Sequence, residues 1–142
     1  MAINEERLEL IHANAELVVR ELAHASGGPF GYDQESVAWV EGFIERQRAE
    51  HPDTSGGLIS VLGSYLGEAI IEAVPGSEWA EDDNGTLGIL FQTGDMAYPF
   101  NKVEKQIADG LANGESTLSF YSICINYVAP GNLGQAASEE TP

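Results

Sequence analysis

The hydrophobic pattern is strongest between residues 55 and 74, where nearly every residue is apolar or small and the only charges are Glu68 and Glu72. At about 100° per residue, the apolar positions cover a face broader than an ordinary surface helix needs. The pattern therefore predicts a buried helix over 55–74, around which the rest of the chain packs. The apolar face consists of Leu58, Leu62, Tyr65, Leu66, Ala69, Ile70 and Ala73.

The opposite side of this central helix is built from small residues. Two glycines inside a helix cost about 1 kcal/mol each relative to alanine, so we expect close packing of a second backbone to compensate. Thr54 or Ser55 is the expected N-cap, and Pro75-Gly76 ends the helix. The small residues are Ser60, Gly63, Ser64 and Gly67.

Two amphipathic helices are predicted before the central one. The first follows the capping residue Asn4, repeats apolar residues at spacings of three and four, and stops at Ser26-Gly27. The second begins at Asp33 or Ser36 and ends before Pro52. The inward positions are Leu8, Ile11, Ala15, Val18 and Leu22 in the first helix and Val37, Val40, Phe43 and Ile44 in the second.

Beyond residue 76 the pattern changes to the alternation that is typical of β-strands. Asn84-Gly85 favours a two-residue hairpin turn of type I′, in which both central residues have positive φ. This turn predicts strands at about 78–83 and 86–92. Its register places Trp79 opposite Leu90.

A third strand and two more helices complete the prediction. The strand covers 96–98 and is closed by Pro99, after which Asn101 to Glu104 has the form of a capping box. The segment 116–128 fits both a helix and a strand, because its apolar spacing is helical while its β-branched and aromatic content suits a strand. We favour a helix capped by Ser116. The inward positions of the helix before it are Val103, Ile107 and Leu111.

The order of elements predicts an α+β fold. It consists of three N-terminal helices, a three-stranded antiparallel meander and two further helices, with the 55–74 helix at the centre. A chain of 142 residues is long enough for one ordinary domain with its own core. We predict a single domain over 1–128 and a flexible tail over 129–142, which has little to bury.

The charge of the chain is strongly negative. Six Lys plus Arg against 23 Asp plus Glu give a net charge of −17, which argues against binding to nucleic acid or an anionic membrane, because both require positive charge. A basic protein partner fits this charge, in the way that immunity proteins neutralise toxins. A solvated acidic surface explains the same charge without any partner.

The single cysteine, Cys124, rules out an intrachain disulfide and favours a reducing compartment. No signal-peptide pattern is seen at the N-terminus, and no stretch of 18 uncharged apolar residues occurs. These features predict a cytoplasmic protein that is not inserted in a membrane.

Three segments of the sequence resemble a known pattern. GSYLGEAI, then Trp79 with the Asp-Asn-Gly hairpin, then YPFNKVEKQIADG together resemble small bacterial domain families described as domains of unknown function. The resemblance covers roughly residues 56 to 125. It implies a fold, and it supplies no activity and no catalytic residues.

Glu68 is the most suggestive single residue, because a carboxylate on a largely buried helix can have a raised pKa and act as an acid, a base or a cation ligand. Two structural alternatives stand beside this hypothesis. Glu68 can lie at the solvent edge beside Glu72, or it can pair across the fold with Lys102 or Lys105, the only lysines. The structural alternatives are favoured, since perturbed carboxylates are often structural.

No other residues form a persuasive active site, and we predict no catalytic residue, no metal and no cofactor. His12, His24 and His51 are expected at the surface and on different faces. Cys124 lies among apolar neighbours and is expected to be an inert thiol. The candidate binding residues are therefore Glu68, Tyr65, Trp79, Tyr98, Lys102 and Lys105.

Two classes of function follow from these features. The leading hypothesis is a non-enzymatic module that binds a basic protein, since the chain is acidic and lacks a catalytic constellation. The alternative is a small-molecule-binding protein or enzyme with a pocket between the central helix and the sheet around Glu68. A homodimer through an exposed helix face is a further option.

Overall fold

A computed structural model describes residues 3–51 and 56–130 of the chain. Within these residues the fold is α+β, with three N-terminal helices, a three-stranded antiparallel meander and then two helices, as predicted. A 3₁₀ turn at Leu111–Asn113 precedes the last helix, and a π-helical segment at Cys124–Val128 continues it. The elements are α1 (Glu5–Ser26), α2 (Gln34–Glu50), α3 (Gly56–Ala73), β1 (Glu78–Glu81), β2 (Leu87–Leu90), β3 (Met96–Ala97), α4 (Pro99–Asp109) and α5 (Thr117–Ile123).

Side-chain caps begin α1, α2 and α5 at the predicted positions. The side chain of Asn4 accepts a hydrogen bond from the backbone N–H of Arg7, and Asp33 accepts one from Ser36. Ser116 does the same for the N–H of Ser119. Each cap satisfies one of the N–H groups that the first turn of a helix leaves without a partner.

The centre of the fold is α3, which packs against α1 on one side and α4 on another, with further contacts to α2, α5 and β2. Buried side chains from all these elements form one hydrophobic cluster that runs from Ile11 to Val128. The residues of α3 that are buried in this cluster are Leu62, Tyr65, Leu66, Ala69 and Ile70.

The small-residue face of α3 receives aromatic rings. The ring of Trp79 lies directly over Gly67, and the ring of Phe100 lies over Gly63, so that a Cβ at either glycine would overlap a ring. The two rings also contact each other, with centroids 5.6 Å apart. The prediction that a second backbone approaches this face is therefore wrong, because flat side chains from β1 and α4 fill the space that the glycines leave.

The hairpin between β1 and β2 differs from the predicted one. Trp79 pairs with Ile89 and not with Leu90, and the strands end at 81 and begin at 87. Gly85 alone has positive φ in this turn, whereas a type I′ turn needs two such residues. The carboxylate of Asp82 accepts hydrogen bonds from the N–H groups of residues 84 and 86, which stabilises a longer turn and moves the register by one residue.

The start of α4 also differs from its prediction. Pro99 is its first residue and Asn101 lies inside the helix, so no capping box forms at 101–104. Proline suits this position because it lacks the N–H that would be left unpaired there. Val103 is buried as predicted, but Leu111 is 40% exposed in the 3₁₀ turn. Gly110 ends α4 one residue before Leu111, which takes that side chain off the inward face.

After its cap Ser116, the segment is helical from 117 to 128, in agreement with the favoured alternative. None of the helices within 3–51 and 56–130 is long and apolar enough to cross a membrane. The predicted caps Thr54 and Ser55 lie outside the described residues. So does the predicted tail, apart from residues 129 and 130.

Candidate functional site

Glu68 joins three elements of the fold. Its side chain, on α3, is 19% exposed. One carboxylate oxygen, Oε2, accepts a hydrogen bond of 2.9 Å from the indole Nε1 of Trp79 on β1. The other oxygen, Oε1, lies 3.2 Å from Nε2 of His12 on α1. Both oxygens therefore serve to hold α1 and β1 against the central helix.

Of the structural alternatives for Glu68, the pairing with a lysine is not the one observed. Lys102 pairs with Glu115, with 2.7 Å between Nζ and Oε2. This hydrogen bond lowers the pKa of the Glu115 carboxyl, and the charge of Lys105 adds to the effect. Lys105 itself lies exposed on α4. The two lysines thus belong to the junction of α4 and α5, away from Glu68.

A cleft of about 310 Å³ opens beside Glu68, between α1, α3 and β1. Glu68 and Trp79 are the only predicted site residues that line it. The other lining residues, of which half are apolar, are Ile3, Leu8, His12, Ile71, Ser77 and Glu78. Of the other candidate binding residues, Tyr65 and Lys105 do not line this cleft.

Tyr65 is a core residue. It is fully buried, and its hydroxyl donates a hydrogen bond of 2.6 Å to the carbonyl of Gly31. Its ring contacts those of Phe30 and Tyr32, with centroids 5.8 and 5.4 Å away. Burial raises the pKa of this phenol well above its usual value. The structure therefore gives Tyr65 the role of anchoring the loop before α2.

Tyr98 belongs to the β-hairpin. Its hydroxyl donates to Oδ2 of Asp82 at 2.8 Å. This hydrogen bond raises the pKa of Tyr98. The pKa of Asp82 is lowered, first by the N–H of Thr86 and then by Tyr98. Tyr98 thus supports the carboxylate that shapes the turn, so the six candidate residues are distributed over four places and do not form one site.

The structure contains a buried polar network that was not predicted from the sequence. Gln106 on α4 is fully buried, and its Nε2 donates to the carbonyl of Glu41 at 3.1 Å and to Oε2 of Glu45 at 2.9 Å. Its Oε1 accepts from the N–H of Thr117 at 3.1 Å. The sequence feature that could have indicated this network is Gln106 itself, a polar residue three positions after Val103 on the inward face of α4.

Two carboxylates of α2 complete this network. Glu41 accepts hydrogen bonds from the hydroxyl of Ser116 and, at 3.0 Å, from the N–H of Leu118. Glu45 also accepts from the N–H of Leu111 at 3.3 Å. Because the donors come from α4, α5 and the turn between them, the network joins these elements to α2. The donors and acceptors of the network bond to one another, which is typical of a cluster that stabilises the fold.

The exposed face of α1 combines apolar and acidic side chains. Leu10 is 60% exposed and Leu17 is 37% exposed, and their spacing of seven residues places them on one side of the helix. Leu17 also borders an apolar groove of about 200 Å³ between α1, α2 and α3. The exposed glutamates of α1 are Glu5, Glu6, Glu9, Glu16 and Glu21.

Metal and thiol chemistry find no support in the described part of the chain. No group of three or more His, Cys, Asp or Glu side chains is placed to hold a metal ion within 3–51 and 56–130. Cys124 is 2% exposed, and burial raises the pKa of its thiol to about 12. A thiol with such a pKa is protonated near neutral pH and is a poor nucleophile.

Comparison with known proteins does not assign this chain to a family. No protein-family model matches the chain. Neither the curated proteins nor the solved structures yield a significant match. The resemblance of residues 56 to 125 to bacterial domains of unknown function therefore stays a prediction, and the geometry described above has to carry any functional conclusion.

Proposed function

We propose that this chain is a non-enzymatic protein-interaction module that binds a basic partner through the exposed face of α1. One observation carries the proposal: Leu10 and Leu17 are exposed on one side of a helix that also exposes five glutamates against two arginines, Arg7 and Arg20. A few well-packed anchor residues provide most of the energy of a protein interface, and exposed apolar side chains gain free energy when a partner covers them. Surrounding charges of one sign accelerate the encounter with a partner of the opposite sign.

The charge of the whole chain supports the same partner. A net charge of −17 disfavours anionic partners and attracts a basic protein over long distances. We place this interaction in the cytoplasm of a bacterium, where the thiol of Cys124 stays reduced. Binding that neutralises or regulates a basic protein is the mode that fits these features.

A pull-down at low and high salt tests the proposal. We expect a basic protein to be retained at low salt and largely lost when the salt concentration rises about tenfold, because screening weakens the steering charges. The double substitution Leu10→Ser and Leu17→Ser should abolish retention. Leu111→Ser is the control, since Leu111 is 40% exposed, close to the 37% of Leu17, and lies outside α1.

Two results would contradict the proposal. One is the absence of any retained protein at either salt concentration. The other is equal loss of binding in the Leu111→Ser control, which would show that α1 is not the contact. Light scattering of the free chain separates self-association from partner binding, because a homodimer would form without any added protein.

A second candidate function is that of a small-molecule-binding protein, and one observation supports it. Glu68 lies in a concave, partly apolar cleft that also contains the ring of Trp79. A ligand there would change the environment of the indole. Titration of small amines against tryptophan fluorescence, with Trp39→Phe to isolate Trp79, tests this alternative. No change in the signal from Trp79 at any concentration would dismiss it.

A further inference from the structure

A second cleft lies between α2, α3 and α5. It has a volume of about 310 Å³ and is lined by Tyr32, Asp33, Glu72, Ala73 and Tyr121. Two phenols and two carboxylates therefore make up nearly the whole lining, and none of the five residues is basic. The hydroxyl of Tyr121 donates weakly to the carbonyl of Tyr32 at 3.4 Å, which brings the two tyrosines to one wall.

The two carboxylates differ in how they are compensated. Asp33 caps α2, and the N–H of Ser36 lowers the pKa of its carboxyl and keeps it ionised. Its charge is offset by the positive end of that helix. Glu72 is exposed, and within 3–51 and 56–130 no hydrogen bond or ion pair reaches its carboxylate. The uncompensated negative charge of the cleft is that of Glu72.

The position of Glu72 is electrostatically unfavourable for the isolated fold. It lies in the last turn of α3, where the partial negative charge of the helix terminus repels a carboxylate. The same turn contains no basic residue. Glu72 and the helix terminus therefore create a negative potential that attracts a cation. The neighbouring phenols respond to it, since burial followed by the charges of nearby glutamates, Glu72 among them, raises the pKa of Tyr32 to about 12.

We propose that this cleft binds an organic cation, an alkylammonium or guanidinium group, between the carboxylates of Asp33 and Glu72 and the rings of Tyr32 and Tyr121. Carboxylates form strong charge-assisted hydrogen bonds with such groups. Tyrosine rings attract them through their negative faces. The occupant is a Lys or Arg side chain of the basic partner. This assignment of the occupant rests on the proposed function, whereas the cation-binding chemistry of the cleft does not.

The experiment uses the full chain with ¹³C-labelled tyrosine rings and follows their NMR signals. The probes are the acetylated amides of lysine and arginine, the neutral norleucine analogue, and 1,4-diaminobutane as a free cation. We expect the signals of Tyr32 and Tyr121 to shift saturably with the lysine or arginine probe. Their affinity should exceed that of the norleucine probe by about tenfold or more.

Glu72→Gln is the decisive variant. It should lower the affinity for the lysine and arginine probes by about fivefold or more. Because Glu72 is exposed, the variant is expected to fold, and the tyrosine spectrum verifies this. Glu104→Gln is the matched control, since Glu104 is an exposed glutamate of α4 and its replacement changes the net charge by the same amount. The control should leave the affinity within about twofold.

Several outcomes would overturn the inference. Unmoved signals from Tyr32 and Tyr121, or equal binding of the norleucine probe, would exclude a cation site. An equal loss in Glu72→Gln and Glu104→Gln would reduce the effect to the overall charge. Much tighter binding of the diamine would overturn the assignment to a partner's side chain. A failed pull-down with intact probe binding refutes only the proposed function, and the reverse result refutes only the cleft.

Discussion

Two groups of carboxylates border α5, and they differ in the number of donors that reach them. Glu41 and Glu45 lie between α2, α4 and α5 and accept hydrogen bonds from Gln106, from backbone N–H groups and from a serine hydroxyl. In the cleft between α2, α3 and α5, Asp33 serves one helix cap, and Glu72 meets no donor within the described residues.

The difference shows what each group contributes. A carboxylate with several donors connects elements of the fold, and removing a partner leaves a buried polar group that costs free energy. A carboxylate at the negative end of a helix with no donor costs free energy in the unbound protein. The first kind is maintained by the fold itself, whereas the second has no partner within the described residues and is open to a cation from outside the fold. Glu68 is partly exposed, accepts one hydrogen bond from Trp79 and has His12 3.2 Å from its other oxygen, so it lies between these cases.

The largest effect is expected from Gln106→Leu. This change leaves Oε2 of Glu45 and the N–H of Thr117 without their buried partner, so the free energy of unfolding should fall by about 2 to 4 kcal/mol. Urea denaturation measures it. Gln34→Leu, at an exposed position of α2, is the control and should change stability by less than about 0.5 kcal/mol. Equal effects of both changes would refute the structural role of the network.

The second largest effect is expected from alkaline pH, which should lower the free energy of unfolding by favouring ionisation of the tyrosines. Burial raises the pKa of Tyr65, Tyr32 and Tyr121 in the folded state. These raised pKa values favour the folded state. Their full contribution to the free energy of unfolding is present below the ordinary phenol pKa of 10.0, and it is lost as pH rises toward about 12, the pKa of Tyr32. We expect a loss on the order of 2 kcal/mol, discounted because Tyr32 is partly exposed.

Urea denaturation at several pH values between neutrality and this alkaline range provides the measurement. Tyr65→Phe should flatten the alkaline decline, because it removes the most deeply buried phenol. A stability that is unchanged on passing the phenol pKa would contradict the prediction.

A smaller effect is expected at Glu68. Glu68→Leu removes the acceptor of the buried indole N–H of Trp79 and should cost about 1 to 2 kcal/mol. Glu68→Gln keeps an acceptor oxygen there and should retain most of that stability. Denaturation followed by tryptophan fluorescence compares the two variants. If both lose the same amount, the charge pairing with His12 matters more than the hydrogen bond to Trp79.

The smallest effect, and one of opposite sign, is expected at Glu72. Removing its charge in Glu72→Gln relieves the repulsion from the end of α3 and should stabilise the free protein by about 0.3 to 1 kcal/mol at low salt. Denaturation at low and high salt measures it, and the gain should shrink as salt is added. A destabilised variant would show that Glu72 has a structural partner. Glu72 would then not differ from Glu41 and Glu45 in the way described above.

The sequence by itself determined the features that depend on neighbouring residues. The α+β order follows from the local periodicity of apolar residues, and the caps Asn4, Asp33 and Ser116 follow from interactions within one helical turn. Such interactions are encoded by residue type at a fixed spacing, and the same spacing recurs in every helix. For this reason they could be read without knowing how the elements pack.

Only the tertiary structure decided which distant groups meet. Gln106 finds its partner Glu41 65 positions away, and Glu68 lies beside a histidine of α1 that none of its predicted alternatives named. The hairpin turn likewise depends on Tyr98, which holds Asp82 from 16 positions away. Hydrogen bonds between elements depend on how helices and strands pack in three dimensions, and no local spacing in this chain encodes that packing.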